Sequence, residues 1–229
     1  MKTVLAVEDD KILVGLLGKA LVEYGYTLAY SPQVTGSFER TKEMHPHLIF
    51  LDVMLPDGAG FQLARRIRMD RDVYATPVLF MSSMSDPPEV EYALQQGGDL
   101  YLAKPFSLKQ MLEKIEQLEV IAGNIERHSE STGLPGLAAL ERELDCRLFN
   151  SEPFGLCLLT IENYREYYLA KGKDLAEETL RIAADALKAG AKDLCMDDVF
   201  LAHPGGFHFF AVVALEHIAA FYKEVEYRL

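Results

Sequence analysis

The chain has 229 residues and a mass of 25.7 kDa, enough for two ordinary domains, and its 49% hydrophobic and 25% charged residues exclude disorder throughout. Its net charge of −12 is spread over both halves, with 12 basic against 17 acidic residues up to Ile125 and 11 against 18 after it. No basic cluster lies in the second half, which disfavours nucleic-acid binding, and no apolar run approaches the roughly 18 residues of a membrane span.

Over the first 106 residues, short apolar runs alternate with amphipathic stretches. Val4 to Val7 precedes Ile12 to Tyr24; Leu28 to Tyr30 precedes Val34 to Met44; Leu48 to Leu51 precedes Phe61 to Met69. Val78 to Met81, Glu89 to Gln96 and Leu100 to Ala103 continue the rhythm. Such alternation predicts an α/β fold with a doubly wound, five-stranded parallel sheet. Ligands bind such sheets beyond the carboxyl ends of the strands. The notable polar residues stand there: Glu8 and Asp9 after the first strand, Asp52 after the third, Ser82 after the fourth, Lys104 after the fifth.

From Ser107 to Arg127 the pattern is one long helix with Ser107 as its cap. Leu108, Met111, Ile115, Leu118, Ala122 and Ile125 form an apolar seam of under three heptads. It reads equally as a short coiled coil or as a helix packed on the sheet in its first half and solvated in its second. The turn-rich stretch His128 to Gly136 marks a boundary. Beyond it the pattern predicts a helix over Leu137 to Phe149, a strand over Gly155 to Ile161 and a helix over Asp174 to Ala189. Strands Val199 to His203 and Phe207 to Val213 are joined by the Pro204-Gly205-Gly206 turn, and an amphipathic stretch follows from Glu216. The expected organisation is thus a core over 1–106, a connector helix over 107–130 and a smaller α+β domain over 131–229. Cys146, Cys157 and Cys195 form no CxxC pair and are assigned to packing as reduced thiols. With no secretory signal at the amino terminus, a cytoplasmic location without membrane contact is expected.

Three carboxylates brought together repel one another unless a proton or a divalent cation intervenes. Magnesium suits Glu8, Asp9 and Asp52, because it takes oxygen ligands and leaves room for phosphate. An ammonium from Lys104 and a hydroxyl from Ser82 suit a phosphoryl group on Asp52. Taken singly, each residue has a plainer reading: Lys104-Pro105 as a turn, Ser82 as a strand-end hydroxyl, Tyr101 as a half-buried ring. Their joint placement at one sheet edge outweighs those readings.

The runs Val4-Leu5-Ala6-Val7-Glu8-Asp9-Asp10 and Leu51-Asp52-Val53-Met54-Leu55-Pro56-Asp57-Gly58, with Ser82-Ser83 and Tyr101-Leu102-Ala103-Lys104-Pro105-Phe106, resemble the receiver domain of two-component response regulators. The resemblance implies Asp52 as phosphoacceptor and Mg2+ held by Glu8, Asp9, Asp52 and the Met54 carbonyl. It implies Ser82 and Lys104 on the phosphoryl group, Tyr101 as the switching aromatic and a cis bond at Lys104–Pro105. The implied partners are a sensor histidine kinase or phosphotransfer protein, a downstream protein, and a second copy in a homodimer. Met54 and Met84 occupy positions where receiver domains often carry polar groups that orient water, so slow hydrolysis of the phosphate is expected.

The second half, from Ser131-Thr132-Gly133-Leu134-Pro135-Gly136 through the Gly205-Gly206 hairpin to Phe209, resembles the GGDEF family of diguanylate cyclases, with a ferredoxin-like fold. Phe207 and His208 replace the acids of that family's hairpin, and Thr160 stands where the other metal-binding aspartate falls. Tyr168 replaces the guanine-reading asparagine, with Glu177 retained as the matching acid. A phenyl ring does not ligate magnesium, so this domain is expected to be catalytically silent and to act by protein contact. The alternatives are an active cyclase with an unusual site and a receptor for guanine nucleotide or cyclic di-GMP. His203 and His208 flank the hairpin, a weak metal pair without a third ligand. Only 20 residues follow Phe209, so this sheet is expected to lack a closing strand.

Overall fold

A computed structural model describes residues 2–196 and 198–229. The chain divides into two compact units, Met1–Gly123 and Asn124–Leu229.

The first unit contains β1 (Lys2–Val7), α1 (Lys11–Glu23), β2 (Tyr26–Ser31), α2 (Ser37–Met44), β3 (Leu48–Asp52) and a small hairpin of β4 (Met54–Leu55) and β5 (Gly58–Ala59). It continues with α3 (Gly60–Met69), β6 (Val78–Ser82), α4 (Pro87–Gln95), β7 (Leu100–Ala103) and α5 (Leu108–Glu126), a helix that runs past the division between the units. The five long strands pair in parallel in the order β2-β1-β3-β6-β7. Every residue of β3 and β6 is buried, as expected of parallel strands covered on both faces. One face packs Leu17, Leu21, Met111, Ile115 and Leu118 from α1 and α5; the other packs Leu63, Ile67 and Ala93 from α3 and α4.

Helix starts follow local chemistry. The Asp10 carboxylate accepts from the Ile12 and Leu13 N–H groups at 2.8 and 3.2 Å and caps α1. Ser107 and Gln110 cap α5 reciprocally, the Gln110 carbonyl accepting from Ser107 N at 2.8 Å and the Ser107 hydroxyl from Gln110 N at 3.3 Å. Buried positions in α5 end at Leu118, Ile121 still packs against the same core and Val120 is exposed, so the helix lies on the sheet as far as Ile121. The predicted helix from Val34 starts later, at Ser37, because Gly36 takes a left-handed backbone. Beneath the sheet, buried Arg68 donates to the Tyr74 and Thr76 carbonyls and pairs with Asp99 at 2.7 Å.

The second unit contains α6 (Leu137–Phe149), β8 (Phe154–Thr160), α7 (Tyr164–Lys171), α8 (Lys173–Asp193), β9 (Phe200–Gly205), β10 (His208–Ala214) and α9 (Ile218–Arg228). It is an α+β unit whose antiparallel sheet runs β8-β10-β9. Leu180, Leu187, Phe209, Val213, Phe221 and Val225 fill the core between sheet, α8 and α9, while Leu140 of α6 packs with Ala202 and Val212 on the opposite face. Arg147 is buried on α6, 2.6 Å from Glu143 and within 3.2 Å of Asp198.

Several expectations are corrected here. The hairpin turns at Gly206 and Phe207, with His208 paired to Gly205, so Pro204 and Gly205 lie inside β9; an edge strand tolerates a residue without N–H. Helix α7, which periodicity did not reveal, buries no residue. His203 and His208 engage separate partners. The His203 Nδ1 faces the Ser129 and Thr132 hydroxyls at 2.7 and 3.2 Å and its Nε2 faces the Gly206 carbonyl, while His208 Nδ1 faces the Thr160 hydroxyl at 3.1 Å. Burial holds the His203 imidazole below its ordinary pKa. Cys195 is exposed, in a left-handed backbone, and does not pack.

Candidate functional site

The parallel ladder is extended by one residue at three strand ends. Glu8 N donates to Ser31 O at 2.9 Å, Val53 N to Met81 O at 3.2 Å and Lys104 N to Ser82 O at 2.7 Å. These bonds fix the backbone carrying Glu8, Asp52, Ser82 and Lys104 along one edge of the sheet. Lys104–Pro105 is cis.

Oxygens of Glu8, Asp9 and Asp52 all lie within 4.8 Å of one another, with Glu8 and Asp52 buried and Asp9 exposed. The Lys104 ammonium reaches between two of them, 2.6 Å from Glu8 Oε2 and 2.7 Å from Asp52 Oδ2. The other Asp52 oxygen accepts from Met54 N at 2.9 Å. Burial raises the Glu8 pKa above the usual carboxylate range, with the Asp52 charge adding to it against the pull of Lys104. Burial on its own would lower the Lys104 pKa, but the hydrogen bonds to Asp52 and Glu8 outweigh it and hold the ammonium above its ordinary value. The cluster is therefore a buried carboxylate pair clamped by a cation, with a third carboxylate open to solvent.

Two predicted residues flank this quartet. The Ser82 hydroxyl accepts from Met84 N at 3.2 Å, and the Tyr101 hydroxyl donates to the Met84 carbonyl at 2.7 Å. Burial raises the Tyr101 phenol pKa. Met54 meets Asp52 through its N–H, and its side chain is exposed.

Two supporting residues escaped the sequence reading. A Cβ on Gly60 would lie 2.1 Å from the Asp52 carbonyl oxygen, so only glycine lets α3 start this close to the strand end. Asp57, at the tip of the β4–β5 hairpin, accepts from both Val34 N and Thr35 N at 2.8 Å and ties the loop after β2 to the loop after Asp52. Hydrogen bonds from Thr35, then Val34, lower its pKa to about 2. The Pro-Asp-Gly sequence signals a turn but not this long-range clamp.

A family model described as the response regulator receiver domain matches residues 4–116. Residues 4–116 form a receiver domain. It is 36% identical over 118 residues to the uncharacterized transcriptional regulatory protein YvcP of Bacillus subtilis, covering 52% of this chain and 48% of that protein. It is 33% identical over 113 residues to the nisin biosynthesis regulatory protein NisR of Lactococcus lactis, covering 49% and 48%. The chain thus spans about half the length of the curated relatives it matches. Among solved structures it resembles the signal receiver domain of a histidine kinase from Syntrophus aciditrophicus, with 25% identity, a TM-score of 0.50, and coverage of 57% of this chain and 96% of that one. Among the described residues, no helix is long and apolar enough to cross a membrane.

Proposed function

We propose that the receiver domain takes a phosphoryl group on Asp52 from a sensor histidine kinase or phosphotransfer protein. An Asp52 carboxylate oxygen attacks phosphorus, the bond from phosphorus to the donor's nitrogen or oxygen breaks, and its electron pair leaves with the donor. The observation that carries this reading is the convergence of Glu8, Asp9, Asp52 and Lys104 at one strand edge.

The donor set fits Mg2+: three carboxylates offer oxygen atoms within 4.8 Å of one another. Glu8, Asp9 and Asp52, with the Met54 carbonyl, would hold the ion, which supplies positive charge against the phosphoryl oxygens when bound. Lys104 is the fixed cation, 2.7 Å from Asp52 Oδ2. Once Asp52 carries the phosphoryl group as a mixed anhydride, the negative charge beside Lys104 resides on the phosphoryl oxygens, and the ammonium pairs with them. Ser82 donates its hydroxyl to a phosphoryl oxygen. Its bond with Met84 N and the Tyr101 bond to Met84 O link that movement to the tyrosine.

Output is assigned to the second unit as a catalytically silent, GGDEF-like domain acting by protein contact. The strand, two helices, hairpin and helix of β8 through α9 support that resemblance. Where the cyclases carry metal-binding acids, Phe207 packs near Tyr164 with ring centroids 6.1 Å apart, and the Thr160 hydroxyl meets His208. Neither position offers a carboxylate.

The test is to incubate wild type and Asp52→Ala with a small phosphodonor and Mg2+ and to follow intact mass. A gain of one phosphoryl group in wild type alone is expected; an equal gain in Asp52→Ala refutes the assignment. Turnover of GTP by the phosphorylated protein would refute the silent second domain.

A further inference from the structure

The two edges of the second unit's sheet are treated differently. On β9, Pro204 removes one donor, and the His203 N–H donates to the Pro135 carbonyl at 2.8 Å, so this edge is partly occupied by the chain itself. On β8, the bond from Ile161 N to Phe207 O sets the alternation. Gly155, Cys157 and Leu159 turn their backbone polar groups toward β10, and Phe154, Leu156, Leu158 and Thr160 turn theirs outward. No strand pairs with this outer edge among the described residues.

Natural edge strands are blunted by charge, proline or a bulge. Strand β8, Phe-Gly-Leu-Cys-Leu-Leu-Thr, has no charge and no proline, in a chain of net charge −12. The register of its pairing with β10 is unbroken. Leu156 and Leu158 are 48% and 58% exposed on one face of the strand. Toward the other face, Leu159, Ile161, Ile182 and Leu229 line an apolar cavity of about 300 Å³. A strand complementary to this edge is extended, uncharged and apolar on both faces. The sequence of β8 has those properties itself.

We propose that β8 pairs antiparallel with β8 of a second copy about a two-fold axis at Cys157. This register leaves no edge group unmatched: Leu156 faces the partner's Leu158 and Phe154 faces the partner's Thr160, each as a hydrogen-bonded pair. The two sheets become one, and the exposed leucines of both copies cover each other. Cys157 then faces its own counterpart in a non-hydrogen-bonded pair, where Cα atoms sit about 4.5 Å apart, within the range a disulfide spans. The interface involves the second unit alone and stands whether or not Asp52 is phosphorylated.

The test uses the full chain at tens of micromolar concentration. Light scattering should give twice the 25.7 kDa chain mass for wild type, and Leu158→Lys, whose site is exposed, should weaken self-association at least tenfold with an unchanged circular dichroism spectrum. In a Cys195→Ser background, mild oxidation with diamide, which accepts the two thiol hydrogens, should join Cys157 to Cys157, as peptide mapping would reveal. A monomeric wild type overturns the proposal and leaves the edge to a strand of another protein. A dimer that survives Leu158→Lys without a Cys157 crosslink also overturns it, because association then uses another face.

Discussion

Replacing Gly60 by alanine tests whether the phosphoacceptor strand is held by close backbone approach. The added Cβ would lie 2.1 Å from the Asp52 carbonyl oxygen and 3.0 Å from Leu51 Cγ, so the first separation must open to at least 3.4 Å for ordinary contact. Neither partner is a flexible side-chain end: one is the backbone of β3 and the other a side chain in the buried core. Retreat of α3 strains the bond from Gly60 N to Val53 O at 2.9 Å, and retreat of β3 moves Asp52 away from Lys104. Overpacking of this kind costs about 1–3 kcal/mol of stability, and a displacement of about 1 Å at a reacting group costs on the order of 100-fold in rate. Phosphorylation by a small phosphodonor, timed by intact mass, should therefore slow by about two orders of magnitude at saturating Mg2+. Gly15→Ala is the control, since a Cβ there meets nothing within 4 Å; it should phosphorylate normally and gain roughly 0.5–1 kcal/mol in helix α1. Wild-type phosphorylation kinetics in Gly60→Ala, with unchanged stability, would refute the reasoning.

Asp99→Ala removes a carboxylate that pairs with buried Arg68 and accepts from Val78 N, and should cost the receiver domain about 3–5 kcal/mol in urea denaturation because a buried ion pair is broken from one side. Burial lowers the folded-state pKa of His203 below that of the unfolded chain. The stability it supports is thus complete above about pH 6.5 and lost as pH falls through the folded value. Protection factors of β9 and β10 amides, corrected for intrinsic exchange, should fall between neutral and mildly acidic pH, and His203→Gln should flatten that dependence. Lys104→Met removes a cation 2.6 and 2.7 Å from two carboxylates; Mg2+ titration should show roughly tenfold tighter binding, on the scale of one partly screened unit charge, alongside slower phosphorylation. With Met54 exposed and Met84 partly buried, neither offering a polar side-chain group to orient water, the phosphate on Asp52 should persist for minutes or longer in a timed hydrolysis assay. Loss within seconds would contradict the role given to these methionines.

The receiver sheet was legible because each strand is an apolar run with a polar residue directly after it, and parallel topology turns those positions into one edge. Glu8, Asp52, Ser82 and Lys104 were found on that logic. Gly60 was not, since its role depends on a backbone approach from β3 that no local pattern records. The Arg68–Asp99 pair spans 31 positions and leaves no periodic trace. Helix α7 has no apolar stripe to detect because it buries no residue fully, only Tyr164 at its start packing on the core, and it starts from Asn163 in a left-handed backbone. The hairpin shift came from Pro204, which reads as a turn residue until the strand carrying it proves to be an edge. The histidines near the hairpin looked like neighbours in sequence, but each ring is occupied by a different hydroxyl.

Asp57 sits at the surface yet stays ionised far into acid, because the Thr35 side chain and two peptide donors of a distant loop favour its anion. A cell whose internal pH drifts downward would therefore keep this staple closed after other carboxylates have taken up protons. The contact between the two loops beside Asp52 thus outlasts mild acid, so a loss of phosphorylation there would not come from this staple opening.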